Sequence, residues 1–456
     1  MKGDCVAALD FGSSKVALAV GRRTGADIRI VGYYDAPSAG IECGEIDNDF
    51  KVAETVRQLV EQAEQELGEK IAEVTVGLSG RVLHRREQSC TMKRRNAASS
   101  IQESEVRQLI RSQYGTSVGK DEAVFEAVPQ RFNTEDRIGI VKDELIGMVG
   151  SEVEAEFVLF SGRKAILDRR LKVLEQCGLR LHKAILAPIA SARAVLTARE
   201  MENGVALVDI GKGTTEVAIV KDYIVRHVAV IPFAGEAVTC DIKTDTGITR
   251  QWAENIKVLQ GRSCEEYAIE NRKLVLRDEN DNVDFEVDLM LLTRIIEARL
   301  SEIFDAVAYV IEQSGYAGRI PSGVVITGGT SHLDNILQLA GSLLGRKVRL
   351  AAPQGAILDD SAEFAFDVYA STAVGLVLES LDPKLSNALA YDKELPVQPV
   401  GQSAGPEPAP EPQPQPVKRG GFFGGRRGGG SKGGDEGPGL FDGIERMFRI
   451  EPNDNA

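Results

Sequence analysis

Ala8-Leu9-Asp10-Phe11-Gly12-Ser13-Ser14-Lys15 decides the fold, because Leu207-Val208-Asp209-Ile210-Gly211-Lys212-Gly213-Thr214-Thr215 repeats its plan. In each stretch an apolar strand delivers an aspartate to its C-terminal end. A glycine then lets the backbone turn tightly and approach a ligand closely. Hydroxyls and free backbone N–H groups follow, a concave donor array that suits phosphate oxygens. Asp10 and Asp209 stand where a carboxylate can hold Mg²⁺ through water, and Lys15 and Lys212 can add positive charge. One copy is also a common β-turn. Two copies in the same strand–turn–strand setting imply two similar domains facing each other. A third element, Val324-Val325-Ile326-Thr327-Gly328-Gly329-Thr330-Ser331, is a strand running into paired glycines, where a flat base or ribose can lie against bare backbone. Its plainer reading is a strand-to-helix connection.

Outward from these motifs, apolar spacing predicts helices over Lys51–Leu67, Ala165–Gly178, Ile185–Glu200, Thr249–Gly261, Leu289–Ser314, about Leu333–Leu344 and Tyr369–Leu381. Pro188 is acceptable in the first turn of the helix that Ala187-Pro188 leads. Tyr33 to Ile46 reads as mostly loop. From about Val82 to Gly162 the texture changes: strand-like pieces Ala123–Val128 and Glu154–Phe160 surround one helix near Glu103–Ser112, which reads as a small inserted α+β unit. The expected partition is a first domain of residues 1–83 and 164–202 with a closing helix in 365–385, an inserted subdomain 84–163, and a second domain 203–364 whose smaller subdomain is 234–317.

The 456 residues exceed one simple core. Net charge of −14 argues against general nucleic-acid binding, which needs a basic footprint. The six cysteines are spread singly, without a Cys-x-x-Cys pair, so neither zinc nor a disulfide framework is suggested. No signal peptide is evident and no apolar run is long enough to span a bilayer, so membrane contact is expected to be peripheral.

Residues 390–438 are a Pro/Gly-rich stretch expected to be a disordered linker, with a span on the order of 35 Å. Hydrophobicity then returns in 439–450. Leu440, Phe441, Ile444, Met447 and Phe448 follow helical spacing and form one apolar stripe, with Asp442, Glu445, Arg446 and Arg449 opposite. Lys418, Arg419, Arg426, Arg427 and Lys432 upstream suit anionic lipid headgroups. The alternative is docking on a protein surface. A long leash makes self-docking entropically pointless, and a membrane is favoured.

Phosphate turn, phosphate turn and adenosine turn, in that order, resemble the actin/Hsp70/sugar-kinase superfamily. The details resemble most the FtsA family, bacterial actin homologues that tether the division ring to the membrane. Gly40-Ile41-Glu42-Cys43-Gly44-Glu45-Ile46, Val128-Pro129-Gln130 with Ile146-Gly147-Met148-Val149-Gly150, Val230–Gly235, Ala253-Glu254-Asn255-Ile256-Lys257 and Tyr369–Leu376 carry the likeness. It implies an α/β, actin-like two-domain ATPase fold with an inserted small α+β subdomain, then a disordered linker and a C-terminal amphipathic helix. By position it implies that Gly12, Ser13, Ser14 and Lys15 grip the phosphates of ATP from one side and Gly211, Lys212, Gly213 and Thr214 from the other. Gly235 belongs to the second-domain nucleotide contacts, Glu254 and Lys257 to the ribose and base, and Gly328, Gly329 and Ser331 to the adenosine. Asp10 and Asp209 would position Mg²⁺.

The resemblance further implies filaments, a place on the cytoplasmic face of the cell membrane at the division site, recruitment of other division proteins, and a partner. Arg294 and Arg299 would receive the acidic C-terminal peptide of the tubulin-like division protein FtsZ. Their plainer reading is surface ion pairs. Two departures bear on mechanism. Lys212 stands where the family has a glycine, and an ordinary φ is expected there because positive φ would strain it. Ala187 stands where many superfamily members carry glutamate, so slow hydrolysis at most is expected. A pilus-assembly scaffold and a sugar-kinase-like enzyme are the alternatives on the same fold.

Overall fold

The structure, a computed structural model, describes residues 5–267, 272–277, 284–354, 357–358, 365 and 367–391. The proposed linker beyond its first two residues and the apolar terminal stretch, with Leu440, Phe441, Ile444, Met447 and Phe448, lie outside the described residues.

The strand Cys5–Phe11 folds back on Lys15–Thr24, in register from Cys5 opposite Arg22 to Phe11 opposite Val16. On its other side it runs parallel to Glu73–Leu78. Val205–Ile210 folds back on Thr215–Lys221 from Val205 opposite Val220 to Ile210 opposite Thr215, and runs parallel to Val324–Thr327. Both sheets therefore carry one plan: a hairpin on one flank of the leading strand and a parallel strand on the other. The first sheet is ordered Arg180–Leu186, Glu73–Leu78, Cys5–Phe11, Lys15–Thr24, Asp27–Pro37, Ile357–Leu358. The second is ordered Ile224–Ile231, Thr215–Lys221, Val205–Ile210, Val324–Thr327, Val348–Leu350. Leading strands covered on both faces read as unbroken apolar runs, and Ala206, Leu207, Val208, Val324, Val325 and Ile326 are all buried.

Helices with their own signals form where the periodicity predicts. Asn48 caps Asp49–Leu67 by accepting the N–H of Lys51, and Gly68 ends it in the left-handed region at φ 67°. Asp288 caps Leu289–Gln313, and the stripe from Leu292 to Val310 is buried. The span Ile185–Glu200 is corrected. Ile185 and Leu186 finish a strand, the helix is Ala187–Val195, and a second one, Ala198–Asn203, follows. The break has a local cause: Thr197 and Glu200 form a capping box, which starts a new helix rather than continuing the old one. Tyr33–Pro37, expected as loop, ends the strand Asp27–Pro37, and Gly235–Thr246 forms a helix that periodicity did not reveal.

Between Glu73–Leu78 and Arg180–Leu186 the chain makes a three-stranded sheet of His84–Lys93, Glu152–Arg163 and Glu122–Asn133. Alternation along its central strand buries both faces. Phe157 and Leu159 pack with Val106 and Leu109 of the helix Glu103–Gln113, while Val158 and Phe160 join the core of the first sheet.

Two helices pass each other beneath the site. Ala187–Val195 is buried along its whole length. It meets Ser371–Leu381 so closely that a Cβ at Gly375 would lie 1.8 Å from the carbonyl oxygen of Ala190.

Candidate functional site: a cleft between two hairpin turns

The turn of each hairpin lies at the C-terminal end of its leading strand, where open α/β sheets place ligands. Both turns open onto one cavity of about 450 Å³, within the usual range for small-molecule sites. Gly12, Ser13, Ser14 and Lys15 line it from the first sheet, and Gly211, Lys212, Gly213 and Thr214 from the second. Glu254, Lys257, Gly328 and Gly329 also line it, as do Asp10 and Asp209. Gly235 and Ser331 are not among its lining residues. Gly235 stands behind the second turn, where its N–H donates to the Gly211 carbonyl at 3.1 Å. Ser331 is buried and turns its hydroxyl to the Gly328 carbonyl.

The two turns close on each other. A Cβ at Gly213 would come within 2.8 Å of Ser13 Oγ and 2.9 Å of Cys43 Cα. Cys43 and Gly44 form the bend of a tiny hairpin in which Ile41 faces Ile46. Both have positive φ, 44° and 72°, as a two-residue turn of this hand requires. The Gly44 N–H donates to Ser13 Oγ at 3.0 Å and so sets the first turn. Lys212 lacks a positive φ; its carbonyl accepts the N–H of Glu236 at 2.7 Å and its ammonium lies 3.9 Å from the Glu236 carboxylate.

The paired glycines differ. Gly328 has φ 90°, and a Cβ there would stand 2.3 Å from Asp209 Oδ1. Gly329 faces open space, with nothing within 4 Å of an added Cβ. It presents bare backbone to the cavity.

Asp209 is held by hydroxyls from both crossing helices: Ser191 Oγ donates to it at 2.8 Å and lies 2.9 Å from Thr372 Oγ1. Burial raises its carboxyl to about 6 against those bonds. Asp10 is likewise raised to about 6, by burial first and then by the charge of Asp209. Sequence reading missed a third carboxyl, Glu216, directly opposite Asp209 across the hairpin. It lines the cavity, accepts the Ser79 hydroxyl, and is pushed up to about 8 by burial, then by Asp209. Carboxyls crowded in a desolvated floor hold protons tightly, and a cation would relieve them.

One cation is already built in behind the floor. Arg170, 1% exposed, donates to the carbonyls of Gly77 and Ile166 at 2.8 Å, Gly44 at 3.0 Å and Ser79 at 3.3 Å. Burial lowers it to about 10, while Asp10, Glu216 and Glu45 favour its charge. No sequence motif marks it; it is an arginine on the buried face of the helix Ala165–Gln176.

Lys15 lies in the wall with its ammonium bonded to Tyr33 Oη at 2.7 Å, 3.6 Å from Asp35 and 3.6 Å from the centre of the Tyr369 ring. Burial lowers its proton affinity. Lys257 is buried, and donates to Gly235 O at 3.0 Å and to Thr239 Oγ1 and Glu254 Oε2, both at 2.8 Å. Thr330, His332, Leu333 and Tyr369 complete that end of the cavity. Away from the cleft, Arg294 is paired with Glu265 at 2.6 Å, and Arg299 grips Asp241 at 2.6 and 3.0 Å.

A family model described as "Cell division protein FtsA" matches residues 206–375. The protein of that name from Neisseria meningitidis serogroup B is 30% identical over 399 residues, spanning 85% of this chain and 94% of that protein. The one from Pseudomonas aeruginosa is 29% identical, spanning 87% and 96%. Among solved structures, the PilM–PilN type IV pilus biogenesis complex superposes with a TM-score of 0.59 at 16% identity, covering 83% of this chain and 99% of that one. MreB5 of Spiroplasma citri bound to ADP superposes with a TM-score of 0.50 at 14% identity, covering 84% and 98%. The fold is actin-like, and the chain belongs to the FtsA family of cell division proteins.

Proposed function

We propose that the protein binds ATP with Mg²⁺ in this cleft, polymerises, and tethers the FtsZ ring to the inner face of the cytoplasmic membrane, where it helps recruit later division proteins. The observation that carries the reading is the convergence of two hairpin turns and the bare Gly329 backbone on one cavity floored by Asp10 and Asp209. The turns would take the phosphates and the Gly328–Gly329 side the adenosine. Gly235 and Ser331 would support that wall from behind rather than touch the ligand. Residues 1–83, 164–202 and 365–385 would act as one domain, 203–364 as the other with 234–317 as its smaller part, and 84–163 as the insertion.

The residues present fit Mg²⁺. Asp10 and Asp209 are acceptors with raised proton affinity. Among the described residues no group of three or more His, Cys, Asp or Glu stands at metal-ligating spacing. An ion that keeps several waters and takes its other ligands from phosphate needs only one or two carboxylates. Bound there, Mg²⁺ would neutralise phosphate charge. Ser191 and Thr372 would hold Asp209 in place for it.

Ala187 lines the cavity and offers no carboxylate to orient water. ATP would therefore serve mainly as a structural ligand. A turnover on the order of 10 s⁻¹, ordinary for metabolic enzymes, would contradict this.

The apolar stripe of 439–450 would lie in the headgroup region, weakly for one copy and firmly for an assembled filament. A carboxylate-rich FtsZ peptide reaching Arg294 and Arg299 would have to displace Glu265 and Asp241. Pelleting with FtsZ and anionic vesicles tests the tether: with ATP all components should sediment together, and FtsZ left in the supernatant beside vesicle-bound protein would overturn it.

A further inference from the structure

The chain leaves the closing helix Ser371–Leu381 through a short stretch gripped by two buried carboxylates. Glu379, in the last turn of that helix, accepts the N–H groups of Lys384 at 3.1 Å and of Leu385 and Ser386 at 3.0 Å. Glu126 reaches the same stretch from the inserted strand Glu122–Asn133. It accepts Ser386 Oγ at 2.7 Å and the Asn387 N–H at 2.8 Å, and also the Tyr114 hydroxyl at 3.2 Å. Ser386 is thus pinned from both sides, its N–H by the closing helix and its hydroxyl by the inserted sheet. Glu126 is 0% and Glu379 1% exposed. Arg193, 3.5 Å from Glu379, also bonds Asp382. Leu385 is buried in the core that contains Phe125, Val128 and Phe160 of the inserted sheet. Farther on, the Tyr391 N–H donates to the His182 carbonyl at 2.8 Å.

Burying a carboxylate costs several kcal/mol unless its bonds compensate. Apolar side chains alone would glue the insertion to its neighbour. Two carboxylates converging on one serine instead fix a single register for the stretch. Every residue after 391 is joined by the chain to the closing helix through that stretch. The inserted sheet in turn touches the second sheet, through Gln130 Nε2 to the Val225 carbonyl at 3.0 Å and Arg226 to Gln130 Oε1 at 3.1 Å.

We propose that residues 384–388 are a strap that ties the root of the C-terminal tail to the inserted sheet and seats that sheet, so that whatever draws on the tail, once past the bond of Tyr391 to His182, acts on the insertion. The strap holds whatever the tail binds and whether or not the cleft binds ATP.

Hydrogen exchange on the full chain tests it. Ser386→Ala removes the bond to Glu126 together with the acceptor of the Ala388 N–H. Exchange across 122–133 and 152–163 should rise about tenfold while 205–231 keeps its wild-type protection. Glu379→Gln, which weakens the grip from the far side at a residue whose hydrogen bonds go to Lys384, Leu385 and Ser386, should raise exchange in the same strands. Change confined to 384–391 in both variants, or spread equally over both large sheets, would overturn the strap.

Discussion

Gly328 and Gly329 are neighbours under opposite constraints. Gly328 is forced by φ 90° and by Asp209 Oδ1, 2.3 Å from where a Cβ would sit. Backbone strain of this kind costs about 1–3 kcal/mol. Gly328→Ala should therefore lower the melting temperature, and by displacing Asp209 it should weaken Mg·ATP at least tenfold in calorimetry; unchanged binding would separate Asp209 from the ligand. Arg170→Met removes the guanidinium that donates to the carbonyls of Gly77, Ile166, Gly44 and Ser79. Removing one partner of a buried ionic cluster typically costs about 3–5 kcal/mol, to be read as a lower urea midpoint. Much at this scale was legible. Asp10, Asp209 and both turns announce themselves through paired motifs, and the ordinary φ of Lys212 follows from its Cβ. Arg170 and Glu216 were not legible, because what makes them matter is burial among groups distant in sequence. Gly44 belongs to the stretch Gly40–Ile46, but its bond to Ser13 spans 31 positions and no local pattern shows it. Gly235 and Ser331 lie behind the cavity wall, a depth that spacing alone does not show.

Elements carried their own signals when the cap and the stripe agreed, as at Asn48 and Asp288. They failed where a short cap interrupts an apolar run, as at Thr197, and where small and polar residues hide a helix, as in Gly235–Thr246. The crossing of Ala187–Val195 with Ser371–Leu381 depends on Gly375. Gly375→Ala should separate the helices or unfold the cleft floor, seen as a marked loss of melting temperature; an unchanged midpoint would mean that the crossing tolerates a Cβ. The strap has a pH signature. Glu126 faces Tyr114, Ser386, Asn387 and the charge of Glu379, and burial raises it from an ordinary 4.5 to about 7. Burial does the same to Glu379, against bonds from Ser386, Leu385 and Lys384 and the charge of Arg193. A carboxyl whose folded affinity for protons is raised contributes stability that is full below 4.5 and is lost as pH rises through about 7. Glu126→Gln should make the fall in melting temperature over that window shallower; an identical slope would place the titration elsewhere.

For the whole molecule, duplication was the legible feature: two motifs of one plan became two sheets of one topology facing a single cavity. The inserted sheet was recognisable as a change of texture, but its bonds to the stretch after the closing helix join residues 260 and 261 positions apart, beyond any local pattern. Removing residues 439–456 should abolish sedimentation with anionic vesicles and leave nucleotide binding intact; persistent sedimentation would assign membrane contact to the folded body.

The most direct test of the cleft uses Gly329. Its Cβ position is open and its φ is not positive, so Gly329→Leu should fold normally while filling the space assigned to the nucleotide. Calorimetric titration with Mg·ATP should show one site per chain in the wild type and none in the variant, at matched melting temperatures. Equal binding by both proteins, or none by the wild type, would contradict the assignment of this cleft to ATP.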